Sequence, residues 1–174
     1  MVVREVRLMG DPLLREVSQE VKPGDAELRG VMEDLRDTLT ELQRVHGLGR
    51  GIAAPQIGCL KRLVYIQTEG FRDYLVNPRI VWRSQEEFMV WDSCFSLDVA
   101  FFVRVPRSRR VRVSFTDGEG RLRLEEFSDG LSELVQHELD HLDGVLCVDR
   151  VRDPREMAMR KEWEKRYRTP GIGM

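Results

Sequence analysis

The chain has 174 residues, 41% hydrophobic and 33% charged, which suits one globular domain over residues 1–174 and excludes wholesale disorder. Its 28 Lys and Arg against 30 Asp and Glu give a formal charge of −2, so no global charge points to nucleic acid. No apolar run is long enough for a membrane helix, and the first residues lack a signal peptide's apolar stretch. Three cysteines, an odd number, argue against a secreted disulfide scaffold. We therefore expect a cytoplasmic domain with no membrane partner.

The first half of the chain predicts an arm, a helix, a loop and strands. Residues 1–23 carry turn signals and predict an extended arm. Apolar side chains recur at helical spacing in residues 25–46, which predicts a helix with Asp25 as its N-cap. A glycine-rich loop follows, and then strand-like apolar runs at residues 62–67, 74–80 and 86–91.

The second half predicts hairpin strands that are followed by two helices. Apolar residues alternate at 103–105 and 111–115 and, after a turn at 117–120, at Leu122 and Leu124. A helix is predicted over residues 130–143 with Asp129 or Ser132 as its cap, and a last helix from Pro154 to Tyr167. Helices flanking such hairpins favour an α+β fold with antiparallel strands around the 130–143 helix.

The pattern His137-Glu138-Leu139-Asp140-His141 is the sharpest chemical signal in the sequence. Residues four apart lie one turn apart on the same face of a helix, so two imidazoles can bind one metal ion. Glu138 can then act as a general base toward a water molecule at the metal. An ordinary surface helix remains the alternative to a metal site.

A catalytic metal of this kind needs a third protein ligand. Cys94 is a candidate because a thiolate and two imidazoles leave a fourth tetrahedral position open. Cys59 and Cys147 compete for this role, although Cys147 lies in an apolar run typical of a core. The loop from Gly49 to Gly58 adds an amide donor, Gln56, but a tight turn remains its alternative explanation.

Together these segments resemble the peptide deformylases. Three family motifs appear in order, as Gly49 to Gln56, Asp92 to Ser96 and Gln136 to Leu142. Shorter segments that look like the family are Met9 to Arg15, Val76 to Pro78 and Val105 to Arg107. The resemblance spans roughly residues 5–150 and favours Cys94 over its rivals.

The resemblance implies a metal-dependent reaction that removes formyl from the N-terminal methionine of new proteins. It implies that Cys94, His137 and His141 bind one divalent metal ion, most often Fe(II), with Zn, Ni or Co as substitutes. Glu138 would move the proton from water to the departing amine. Gln56 and the backbone N–H of Phe95 would hold the oxyanion, and Gly51 would pair with an extended substrate. The implied partner is an N-formylated peptide, met at the ribosome.

The substrate-facing residues depart from the family pattern. Asp92-Ser93 replaces Glu-Gly, and Leu97-Asp98 follows Ser96 in place of an aliphatic residue and proline. Arg50 and Glu133 stand where apolar residues are usual. These two charges suggest either a pair across the substrate pocket or side chains that turn to solvent. We hypothesise that formyl-methionyl peptides are poor substrates relative to those of typical family members.

The sequence also predicts a pair of residues that supports the site, and it leaves other functions open. Asp140 and Arg107 are predicted to pair and to help orient a histidine ligand. One alternative function is a deformylase-like hydrolase with another N-acyl or non-methionine substrate; another is a non-catalytic module stapled by the metal. The arginines between residues 104 and 112 could bind nucleic acid but more often form a solvated strand face, so no specific nucleic acid is expected.

Overall fold

The computed structural model describes residues 2–168, which form two antiparallel sheets and three α-helices. The helices are α1 (Leu28–His46), α2 (Asp129–Leu142) and α3 (Arg160–Arg166). The strands are β1 (Gly51–Ala53), β2 (Leu63–Gln67), β3 (Arg72–Arg83), β4 (Glu87–Asp92), β5 (Phe101–Ser108), β6 (Arg110–Thr116), β7 (Leu122–Ser128) and β8 (Met157–Met159). The α+β prediction is confirmed. Among the described residues, no helix is both long and apolar enough to cross a bilayer.

Helix α2 packs against the larger sheet, whose strand order is β1-β2-β3-β6-β7. The smaller sheet has the order β4-β5-β8. Strand β6 shows why the sheet covers the helix: Val111, Val113 and Phe115 alternate with polar residues and are fully buried. The predicted turn at 117–120 closes the β6–β7 hairpin, and the Asp117 N–H donates to the carbonyl of Arg121. Most strand predictions are therefore confirmed.

The predicted start of α1 is wrong by three residues. The helix begins at Leu28, and Asp25 lies before it instead of capping it. Its carboxylate accepts a hydrogen bond from the N–H of Glu27 and pairs with Lys61. These bonds hold residues 25–27 in a turn, so the helical period in the sequence extends further than the helix itself.

Neither predicted cap of α2 caps the helix. The N-cap position is occupied by Ser128, whose side chain makes no capping hydrogen bond. Asp129 is the first residue of the helix, and Ser132 lies inside it. The Ser132 hydroxyl donates instead to the carbonyl of Ser108 at 2.8 Å, which anchors α2 to the end of β5.

The last helix begins at Arg160 rather than at Pro154. Residues Met157 to Met159 form β8 and pair with the outer edge of β5. A free strand edge offers backbone partners that helical periodicity in the sequence does not reveal. The helix then places Trp163 on Phe102, with the two rings stacked 4.0 Å apart.

Candidate active site and metal centre

Helix α2 is buried along nearly its whole length, from Ser132 to Leu142. Such burial is unusual for a segment that includes Glu133, Glu138 and Asp140, because charged side chains are rarely buried without partners. The helix therefore brings its polar residues into the interior, where each must meet a partner or serve a ligand.

The side chains of Cys94, His137 and His141 meet beside this helix. Their ligand atoms all lie within 4.8 Å of one another, and Cys94 Sγ is 3.1 Å from His141 Nε2. Cys94 reaches the helix because it lies two residues after the end of β4. One sulfur and two imidazole nitrogens at this spacing fit a single divalent transition metal with an open position. Their ligand roles stay a prediction that this geometry supports.

The rival cysteines differ from Cys94 in their surroundings. Cys59 belongs to no such group of ligand atoms in the described part of the chain. Cys147 belongs to a second group with Asp92 and His137. Burial among the apolar side chains of a core cluster raises the pKa of its thiol well above the usual value.

Asp92 lies directly against the first histidine, with Oδ1 2.8 Å from Nδ1 of His137. Burial opposes charge on both groups. Their mutual attraction overcomes it, so the pKa of His137 is raised and that of Asp92, which also faces Arg107, is lowered. A carboxylate at Nδ1 leaves Nε2 as the nitrogen that can bind metal.

Arg107 connects two buried carboxylates. Its guanidinium donates to Asp92 at 2.9 Å and to Asp140 at 2.6 Å, and Asp140 also accepts from Arg150 at 2.7 Å. Arg107 and Asp140 therefore contact each other, but the carboxylate beside the imidazole of His137 belongs to Asp92. Asp140 can affect that imidazole only through Arg107.

This arrangement predicts a graded loss of metal affinity. Asp92→Asn is expected to weaken metal binding by about 10–100-fold, the usual cost of losing a carboxylate behind a histidine ligand. Asp140→Asn should cost less, because Arg107 still holds Asp92. Competition with a chromophoric chelator measures both affinities, with Asp153→Asn as control, because the partner of Asp153 is Arg155 and neither belongs to the candidate site. An Asp92→Asn protein that binds metal like the parent would contradict the orienting role.

Glu138 is buried on the same side of α2, with Oε2 free of any hydrogen-bond partner in the described structure. Burial raises its pKa to about 7, although the neighbouring His137 acts in the opposite direction. Gly51 makes the space for this carboxylate: a Cβ at position 51 would lie 2.7 Å from Glu138 Oε1. An unpartnered buried carboxylate beside a candidate metal-binding group is suited to moving a proton.

Gly51→Ala is therefore expected to lower kcat by about 100-fold, because a displacement of 1 Å in a reacting group can cost that much. KM should change much less, since the backbone of β1 is retained. Gly30→Ala is the matched control, because a Cβ there meets nothing within 4 Å. Steady-state formate release and thermal unfolding of both variants check the prediction; unchanged kcat in Gly51→Ala would contradict it.

Gln56 directs its amide nitrogen toward the same centre. Its Oε1 accepts from the N–H of Ala53 at 2.9 Å, which leaves Nε2 3.4 Å from Cys94 Sγ and 3.2 Å from Ser96 Oγ. Phe95 packs its ring where a side chain on Gly49 would stand, at 2.3 Å from that Cβ. The loop glycines thus allow close packing around a donor at the pocket, which supports the oxyanion role predicted for Gln56; the role of the Phe95 N–H stays a prediction.

Arg50 and Glu133 meet at the pocket. Arg50 Nη2 lies 2.7 Å from Glu133 Oε2, and Nη1 donates to the carbonyl of Gly130 at 3.1 Å. Burial raises the pKa of Glu133, and Arg50 opposes that rise. Of the two arrangements that the sequence left open, the structure has the paired one.

The arginines between residues 104 and 112 all pair with carboxylates. The partners are Glu156 for Arg104, Asp92 and Asp140 for Arg107, Glu86 and Asp129 for Arg109, and Glu126 for Arg110 and Arg112. Neutralised in this way, the exposed ones form a solvated face, which agrees with the simpler explanation of their pattern.

Sequence reasoning missed part of the site. In the sequence, Asp92 is visible only as a departure from a family motif. Its position two residues before Cys94 is the available signal, because residues two apart in an extended segment share a face. The apolar side of the pocket includes Trp91, Val99 and Phe102, which no local pattern connects. Their approach depends on how the loop after Cys94 turns back into β5.

Several known proteins are similar to this chain in sequence and in structure. A family model described as Polypeptide deformylase matches residues 3–157. The peptide deformylase of Pseudothermotoga lettingae is 35% identical, over 92% of this chain and 90% of that protein. The crystal structure of a Synechococcus elongatus peptide deformylase in complex with actinonin aligns with a TM-score of 0.80 and 33% identity, over 88% of this chain and 81% of the other. A Met-Ala-Ser-bound class I type b peptide deformylase from Acinetobacter baumannii aligns at 0.77 and 26%, over 86% and 99%.

Proposed function

Because this chain belongs to the polypeptide deformylase family, we propose that its buried Cys94, His137, His141 and Glu138 form a deformylation centre. The chain is a metal-dependent amide hydrolase that removes the formyl group from the N-terminal methionine of nascent proteins. Its substrate is an N-formylated peptide, which it meets in the cytoplasm at the ribosome.

The three ligand residues would hold the metal, which we propose to be Fe(II) with Zn, Ni or Co as substitutes. When bound, a divalent metal supplies Lewis-acid chemistry: it lowers the pKa of water from 15.7 toward about 7 and polarises the formyl carbonyl. Asp92 and Arg107 hold His137 in the orientation that this requires.

The remaining residues move the proton and stabilise charge. Glu138 takes a proton from the attacking water and gives it to the departing amine nitrogen as the formyl C–N bond breaks. Gln56 Nε2 and the N–H of Phe95 donate to the oxygen that gains negative charge during attack, and one such donor is typically worth about 3–4 kcal/mol. Gly51 pairs through its backbone with the extended peptide.

The observation that carries this proposal is the unpartnered buried carboxylate of Glu138, beside three metal-binding side chains. A structural metal, which only stabilises the fold, needs no such group, and leaving a buried polar oxygen unpaired costs free energy of folding. A general base must instead keep an oxygen free for its proton.

Formate release from formyl-peptides tests the proposal directly. The Fe(II), Ni and Zn forms of the protein should each be assayed on formyl-Met-Ala-Ser and on peptides with other first residues. We expect metal-dependent release of one formate per peptide. The same acetylated peptides should be inert, since a formyl group is the smallest acyl group and its carbonyl carbon is the easiest to reach. Hydrolysis of acetyl but not formyl peptides would support a hydrolase with another N-acyl substrate. No hydrolysis with any metal would support a non-catalytic protein in which the metal is structural.

A further inference from the structure

The pocket beside the candidate metal centre has two chemically different walls. One wall is apolar and consists of Leu48, Trp91, Phe95, Val99, Phe102 and Leu134. The other is formed by Arg50, from the loop before β1, and by Glu133, one turn before His137 on α2. A side chain bound in this pocket can therefore contact both carbon and charge.

Both charged side chains are held at the pocket. Arg50 contacts α2 twice, through the carboxylate of Glu133 at 2.7 Å and the carbonyl of Gly130 at 3.1 Å. The side chain of Glu133 is 10% exposed and that of Arg50 is 26% exposed. The guanidinium is therefore fixed against the helix and partly removed from water.

The stability of the fold alone gives little reason to keep an ion pair between Arg50 and Glu133. Taking two charges out of water offsets most of their attraction, and well-packed apolar residues of similar volume often stabilise a protein as well or better. The pair is therefore more readily explained by what the pocket binds than by folding.

Arg50 retains hydrogen-bonding capacity toward a ligand. A guanidinium has five N–H groups, and the contacts of Arg50 within residues 2–168 use two of them. The others can serve an acceptor in the pocket, where partial desolvation strengthens a charge-assisted hydrogen bond. A thioether sulfur, by comparison, is only a weak acceptor.

We infer that this pocket selects formylated peptides whose first side chain has an apolar stem and ends in a hydrogen-bond acceptor, such as an amide or a sulfoxide. The inference rests on the proposed function, because the first side chain of a peptide lies next to the formyl amide that would react at the neighbouring centre. Methionine fits the apolar wall but leaves the Arg50 donors without a good partner, so its peptides are hydrolysed less efficiently.

Two matched substrate pairs test this selection. Formyl-Met-Ala-Ser is compared with its methionine sulfoxide form, which differs by one acceptor oxygen, and formyl-norleucyl-Ala-Ser with formyl-Gln-Ala-Ser. We expect kcat/KM to be at least 10-fold higher for the acceptor-ended member of each pair. Arg50→Ile combined with Glu133→Ile should reverse that preference. The control combines Arg112→Ile with Glu126→Ile, an exposed pair at 2.8 Å on the outer face of the larger sheet, and should preserve it.

Equal or higher kcat/KM for the norleucine and methionine peptides would overturn the inference, as would a preference that survives in the Arg50/Glu133 double variant. Calorimetric binding of the deformylated products Met-Ala-Ser and its sulfoxide separates this failure from that of the proposed function. If no formyl peptide is hydrolysed, the proposed function fails. The sulfoxide product should still bind at least 10-fold more tightly, and equal binding would refute the selection.

Discussion

Glu138→Gln is expected to keep the bound metal and to lose about 10²–10⁴-fold in kcat, the usual contribution of a positioned proton-transfer group. Glutamine has the same shape but cannot accept the proton of the attacking water, whereas its amide can still occupy the space that Gly51 leaves open. KM for a formyl peptide should change little, because the pocket walls and the backbone of β1 are untouched. Formate release and metal content measure the two properties separately.

Glu33→Gln on the exposed face of α1 is the matched control for this substitution and should retain full turnover, since its side chain is 53% exposed. Near-parental kcat in Glu138→Gln would remove Glu138 from the proton-transfer role. Loss of metal in the same variant would instead show that Glu138 supports the ligands.

His137→Ala is expected to abolish stoichiometric metal binding, and with it all metal-dependent turnover. It removes one of three ligand atoms that lie within 4.8 Å of one another and leaves Asp92 facing an empty space. The remaining thiolate and single imidazole cannot complete a catalytic tetrahedral site. Elemental analysis after dialysis, together with chelator competition, reads the loss directly.

His46→Ala provides the control, since His46 lies at the end of α1 and belongs to no group of ligand atoms in the described structure. That variant should bind one metal ion per chain, as the parent should. A His137→Ala protein that retains one tightly bound metal would show that the ligand set is different, with Asp92, Cys147 or another residue taking part.

The candidate site could be predicted from the sequence where its residues are close along one element. His137, Glu138 and His141 lie within two turns of a helix, so the helical period alone predicts that both imidazoles share a face. Cys94 required the family resemblance, because it is distant along the chain and Cys59 and Cys147 are equally plausible by residue type. Strands β2, β3 and β4 could be predicted from apolar runs, and the strands from β5 to β7 from alternating apolar residues.

The missed features depend on contacts between distant segments. Asp92 lies against His137 because β4 ends beside α2. Arg107 on β5 contacts both Asp92 and Asp140. Strand β8 forms because the edge of β5 is available, so the helical pattern after Pro154 does not start until Arg160. Similarly, the sequence placed Arg50 and Glu133 near the pocket, but only the packing of the loop before β1 on α2 brings them to 2.7 Å.

A titration of the metal-free protein with Fe(II), followed by formate release from formyl-Met-Ala-Ser, tests the central claim most directly. The account predicts no turnover without metal, a rise in rate in proportion to added metal, and a plateau at one equivalent per chain. In parallel, Glu138→Gln should bind the same single equivalent while its rate stays near zero. Turnover by the metal-free protein, or a fully metal-loaded parent protein that releases no formate, would contradict the assignment of this centre.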